Sequence, residues 1–208
     1  MYTPSQFTET RPEVLHTFIR EHAFSSIVAT TTDGIDAFHV PVVLDTSRGS
    51  DGVLQGHVAR ANPIWRKLND GAPVLVIFQG PNHYVSPGWY PAKKEHGKVV
   101  PTWNYIIVHV RGSIEWQHDQ NWLRELLERT THAHEHGRQN PWHVADAPEE
   151  YVTRMLEAIV GFEIPIGAIT GKWKLSQNRS SADRAGVADG LASERVSHAA
   201  EILEWMRK

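Results

Sequence analysis

The stretch SSIVATTTDGIDAFHVPVVLDTSRGSDGVLQGHVA (25–59) decides the fold. Residues 25–32 are rich in β-branched side chains and end at Asp33-Gly34, a pair suited to a tight hairpin turn. The second arm, 36–45, puts Phe38, Val40, Val42 and Leu44 on one side and His39 and Pro41 on the other. Pro41 has no N–H for a ladder, so this arm belongs at an edge, a bulge or a pairing gap. A loop follows, then a third strand at 53–59. Strands in succession without intervening helices exclude a doubly wound α/β sheet. They predict a mainly β fold, an antiparallel barrel closed or partly closed, with helical decorations.

Outward from this core, Val14, Leu15, Phe18 and Ile19 mark a helix near 11–22 with Pro12 in its first turn. Asn62 is expected to cap a short helix through Leu68, with Pro63 at its first position. PVLVIFQG (73–80) is a continuous apolar run and predicts a strand buried on both faces. A short strand, HYVS, leads into a loop over 87–98. Residues 103–117 alternate, with Ile106, Val108, Val110, Ile114 and Trp116 on one face. Helices are expected at 119–135 and 148–160, a strand at 162–175, and a terminal helix carrying Val196, Ala199, Ile202, Leu203 and Met206.

The composition narrows the chemistry. The 208 residues contain no cysteine, which removes disulfides, thiolate metal sites and cysteine nucleophiles, and fits a reducing cytoplasm. The net charge of −3 gives no protein-wide field for nucleic acid or an anionic membrane. Residues 71–92 carry no charge, but their four prolines and three glycines exclude a membrane span. The first residues have no basic start or apolar run, so no signal peptide is expected.

Among motifs, GHVARANPIW (56–65) stands first: a strand ends, Arg60 follows, and a helix starts. Unpaired N–H groups at a helix start favour anions, and a guanidinium beside them adds a charge-assisted contact. A capped helix beside a surface arginine is the plain alternative. YVSPGWYP (84–91) and VVPTWNY (99–105) cluster aromatic residues near strand ends; GKWKLSQNR (171–179) places Lys172, Lys174 and Arg179 around polar residues. HAHEHG (132–137) sets His132 and His136 one helical turn apart, yet no acidic partner stands at a diagnostic offset. No metal site is expected there. His39, His57, His83 and His109 lie singly on strands and are read as hydrogen-bonded interior or interface histidines. No Rossmann or P-loop glycine pattern and no nucleophile elbow occurs, so no catalytic residue is assigned.

Together MYTPSQF, HVPVVLD, GHVARANPIW, FQGPNHYVSPGWYP, VVPTWNY, IVGFEI and GKWKLSQNR resemble the PaiB-type FMN-binding negative transcriptional regulators nearly end to end. The last 20 or so residues match least. The resemblance implies a flavin-binding split β-barrel over 1–178, with 179–208 packing on the barrel or a partner. It implies a homodimer holding FMN at the subunit interface. Arg60 and Asn62 would lie at the FMN phosphate, with His57 and Val58 on the strand leading in. His39 and Val40 would run past the isoalloxazine. Trp103, Asn104, Lys172 and Gln177 would come from the partner subunit. The family name implies repression of transcription, although neither charge nor motif supports direct DNA binding. The alternative is a flavin-dependent oxidoreductase of the pyridoxamine-phosphate-oxidase or flavin-reductase class; haem handling ranks below it.

Overall fold

A computed structural model describes residues 1–207. In chain order it has β1 (Thr8–Glu9), α1 (Pro12–Glu21), β2 (Phe24–Thr31), β3 (Gly34–Pro41), β4 (Val43–Asp45), β5 (Val53–Ala59), α2 (Ile64–Lys67) and β6 (Ala72–Val85). Then follow α3 (Ala92–His96), β7 (Thr102–Gln117), α4 (Gln120–Glu135), α5 (Glu149–Glu157), β8 (Ile159–Lys174), α6 (Ser181–Ser193) and α7 (Ser197–Arg207). The strands form one sheet in the order β3-β2-β6-β7-β8-β5-β4, with β1 paired to β8.

The hairpin forms where Asp33-Gly34 requires it, with Gly34 at φ 113°, a conformation open to glycine. Pro41 ends β3, which lies at the sheet edge. Val42 then leaves the ladder and donates its N–H to the Ala23 carbonyl at 3.0 Å, so the expected arm 36–45 becomes two strands. One expectation fails in β6. Val74, Val76 and Phe78 are buried, but Leu75 and Ile77 between them are only half-buried, so the strand alternates rather than burying both faces. The strand at HYVS is its continuation. Two helices were not expected: α3, inside the 87–98 loop, and α6. Ser180 caps α6 by accepting from the Asp183 N–H at 3.1 Å.

The chain divides into two compact units. One comprises His16–Phe78 and His109–Ile169. Its core includes Phe18, Ile27, Leu54, Phe78, Val110, Ile114 and Phe162, all fully buried. Phe38 and Trp116 meet the Phe162 ring edge-on at 6.4 and 6.0 Å. Leu123, Val152 and Leu156 join α4 to α5 in a satellite cluster. The other unit comprises Met1–Leu15, Gln79–Val108 and the chain from Thr170 onward. There Val187 and Leu191 of α6 and Ile202 of α7 are buried. Gly190 lies so close to the Trp89 ring that a Cβ would stand 2.2 Å from it. Among the described residues, no helix is long and apolar enough to cross a membrane.

Candidate functional site

The residues singled out for a flavin fall into two groups, one in each unit. In the first unit, β5 and the link to α2 carry His57, Val58, Arg60 and Asn62, while β3 carries His39 and Val40. Gly56 lets the β3 end approach β5: a side chain there would meet the Phe162 ring at 2.6 Å and the Pro41 carbonyl at 3.1 Å. Val58 is buried in the core. His57 is half-buried, and burial pushes its pKa below the ordinary imidazole value. His39 is exposed, its Nδ1 2.8 Å from the Ser26 hydroxyl.

Arg60 is fixed at its junction from three directions. Its backbone N–H donates to the Ala158 carbonyl at 2.7 Å. Its Nε and Nη2 donate to the Glu157 and Ile159 carbonyls at 2.6 and 2.8 Å, the first at the end of α5, where helix carbonyls lack partners, and the second at the start of β8. A guanidinium has five N–H donors, so the Nη1 protons remain to be given elsewhere. Asn62 Oδ1 accepts from the Ile64 N–H at 3.0 Å. Helix α2 thus starts one residue later than predicted, with Pro63 rather than Asn62 at its cap position. The Asn62 amide N–H₂ is left as a donor. Trp65 donates its indole N–H to the Arg60 carbonyl at 3.0 Å, and the Arg66 guanidinium lies 4.2 Å over the Trp65 ring. Trp65 is thus held by the Arg60 backbone on its indole N–H and covered by the Arg66 guanidinium. Arg66 was not singled out from the sequence; a cation two residues into a capped helix was the available signal.

The second group lies in the other unit. Asn104 is fully buried, accepting from the Ser176 hydroxyl at 3.1 Å, with its amide 3.8 Å from Met206 Sδ. Gln177 folds onto its own turn: Oε1 accepts from the Leu175 N–H and Nε2 donates to the Trp173 carbonyl. This closes a turn in which Ser176 holds φ 62°. Lys172 is buried, donates to the Tyr2 carbonyl at 3.0 Å and sits 5.3 Å over the Tyr105 ring. Trp103 differs, being 51% exposed. It lines a hollow of 420 Å³ with Gln79, Asn82, Tyr105 and Ile107.

Sequence reading passed over a buried polar network. Glu163 in β8 is 5% exposed and accepts from Arg48, from Gln55 Nε2 at 2.6 Å and from the Trp122 indole at 3.2 Å. The Arg48 bond, foremost, holds the Glu163 carboxyl below the usual carboxylate range. Nothing in IVGFEIPIG marked that acid as an interior hub. His109 departs from its reading too: its buried Nδ1 has no hydrogen-bond partner among the described residues. His132 and His136 have rings 5.0 Å apart, and no group of metal-binding side chains occurs among the described residues.

The fold is similar to a conserved hypothetical protein of Mycobacterium tuberculosis, at a TM-score of 0.60, 9% identity and coverage of 86% of this chain and 94% of that one. It is also similar to the FAD and heme binding protein of Mycobacterium smegmatis, at 0.59, 16% identity, and 80% and 73% coverage. The class is the flavin-binding split barrel expected from the sequence.

Residues 1–168 match the family described as "Putative FMN-binding domain", and the chain belongs to that family. It is 33% identical over 206 residues to the protease synthase and sporulation protein PAI 2 of Bacillus subtilis, covering 99% of this chain and 96% of the relative. FMN is the cofactor that membership assigns. The residue types fit it: a phosphate monoester needs several N–H donors of positive charge, and the link from β5 into α2 carries Arg60, Asn62 and Arg66, with Arg60 fixed by two backbone carbonyls.

Proposed function

We propose that the chain is an FMN-dependent negative regulator of gene expression, working as a homodimer with the flavin at the subunit interface. The observation that carries the flavin reading is Arg60. Its guanidinium is held rigid by two backbone carbonyls and keeps its remaining donors for a ligand. In this reading Arg60 and Asn62 receive the phosphate, His57 and Val58 lead into it, and His39 and Val40 border the ring system. Trp103 offers a half-exposed ring to the flavin of the partner, beside Asn104, Lys172 and Gln177. Bound FMN supplies one- and two-electron redox chemistry; the protein orients it and sets its access to water.

Support for a second copy comes from the outer face of the β2–β3 hairpin. Ile35 is 81% exposed and Phe24 71%, and Ile35 lies beside half-buried Val28 and Leu75. Phe24 stands at the other end of the hairpin, so the apolar contact surface is the group of Ile35, Val28 and Leu75. The regulatory assignment rests on the end-to-end similarity to the Bacillus protein, whose name ties it to protease synthesis and sporulation. A net charge of −3 favours regulation through the flavin or a metabolite over broad DNA contact.

The test combines FMN titration with sedimentation. FMN binding should depend on protein concentration, and Ile35→Lys should lose the dimer and the flavin together. A monomer that binds FMN with undiminished affinity overturns the interface. Turnover of NAD(P)H with flavin reduction, alongside no change in target transcription on deletion, makes the chain an oxidoreductase instead.

A further inference from the structure

A second cavity lies in the unit that holds Arg60, and none of the residues assigned to FMN lines it. Its volume is 440 Å³, within the range of small-molecule sites. The end of α1, strand β4 and the last turns of α4 border it as a half-open cleft. Ala23, Val42, Val43, Leu44 and Ala133 make its walls aliphatic, while Arg20 and Arg129 bring two guanidinium groups to it.

Those arginines have donors to spare. Arg20 makes one long contact, to the Thr46 hydroxyl at 3.4 Å. Arg129 Nη2 donates to Gln55 Oε1 at 3.0 Å, and its Nη1 stands 3.6 Å from Glu125. Gln55 is 1% exposed and is oriented from behind, because its Nε2 donates to Glu163. The Glu163 network thus fixes the amide that positions Arg129. Asp45, the acid in the lining, is engaged by the Ser47 N–H at 2.9 Å and hydroxyl at 2.6 Å. Counting Arg20, Arg129 and Asp45, these three groups carry one net positive charge.

We propose that this cavity binds a small aliphatic carboxylate, apart from the flavin. The carboxylate sits between Arg20 and Arg129, where forked N–H pairs match its two oxygens. The hydrocarbon lies on Val42, Val43 and Leu44. His134, from the histidine-rich end of α4, borders the ligand instead of a metal.

The experiment is calorimetric titration of the FMN-saturated full chain with hexanoate and with its neutral isostere hexanamide. Hexanoate should bind saturably and at least about tenfold tighter than hexanamide, since only the acid uses the charged forks. Arg129→Ala and Arg20→Ala should each weaken hexanoate at least about fivefold and leave FMN affinity unchanged. Arg20 makes so little contact that its variant should fold even if the other fails. Equal binding of acid and amide, no saturable hexanoate binding, or full affinity in Arg20→Ala overturns the proposal. So does inorganic phosphate binding as tightly as hexanoate, which means the aliphatic wall is unused. Loss of FMN affinity in Arg129→Ala makes the cavity part of the flavin site and overturns it as well.

Discussion

The two groups of residues singled out for FMN contrast in how they spend their polar atoms. Around Arg60 the chain satisfies its own backbone and still has donors left: Nη1 of Arg60, the Asn62 amide and the Arg66 guanidinium. Around Asn104 the chain closes on itself. Asn104 is buried against Ser176 and Met206, Gln177 serves its own turn, and Lys172 serves Tyr2 and Tyr105. A buried amide with its partners in place is scaffold, because breaking such bonds costs more than most ligands return. In the proposed site, the first group is expected to receive the ligand and the second to offer chiefly the exposed ring of Trp103.

Substitutions separate the two roles. The largest expected effect is Arg60→Ala, which should weaken FMN by about 1.5–3 kcal/mol, a charged hydrogen bond's worth, in a fluorescence titration. An unchanged affinity removes Arg60 from the site. Asn104→Ala should lower unfolding stability by about 1–2 kcal/mol, through the stranded Ser176 hydroxyl, with FMN affinity kept. Flavin loss as large as that of Arg60→Ala, in a protein that stays folded, would erase the contrast. Asn62→Ala should cost about 1 kcal/mol of stability by freeing the Ile64 N–H, with a smaller loss of FMN than at Arg60.

The smallest effect is on pH dependence. His57 has a pKa lowered by burial, so the folded chain holds fewer protons than the unfolded one below about pH 6.5. Stability is full above that pH and falls as the pH drops toward the folded value. His57→Gln should flatten the fall in melting temperature between neutral pH and mild acid. An unchanged slope assigns it to other groups, His109 among them, whose pKa burial also lowers.

Much of the fold was legible because it rests on local rules. The Asp33-Gly34 turn, the Pro41 edge and the alternation of β7 each follow from one residue type or one period. β6 was misread because Leu75 and Ile77 are as apolar as their buried neighbours, and composition does not say which face meets the core. α6 escaped because its buried side includes Gly190, made small for Trp89, so it carries no broad apolar stripe. At the site, Arg60 and Asn62 were visible from their place between strand and helix. Their partners were not: Glu157 and Ile159 lie far along the chain, and only the folded β5–β8 pairing brings them near. Glu163 was invisible for the same reason.

The chain passes from one compact unit to the other at four places: within α1, β6, β7 and β8. No single cut therefore frees either unit as a continuous piece. Each unit holds only part of β6, β7 and β8, because the chain changes unit inside each of those strands. The expected behaviour is one calorimetric transition, with slow folding set by contacts distant in sequence. For anyone seeking a minimal flavin-binding fragment, the continuous strands set the answer: the smallest piece that folds is close to the whole chain.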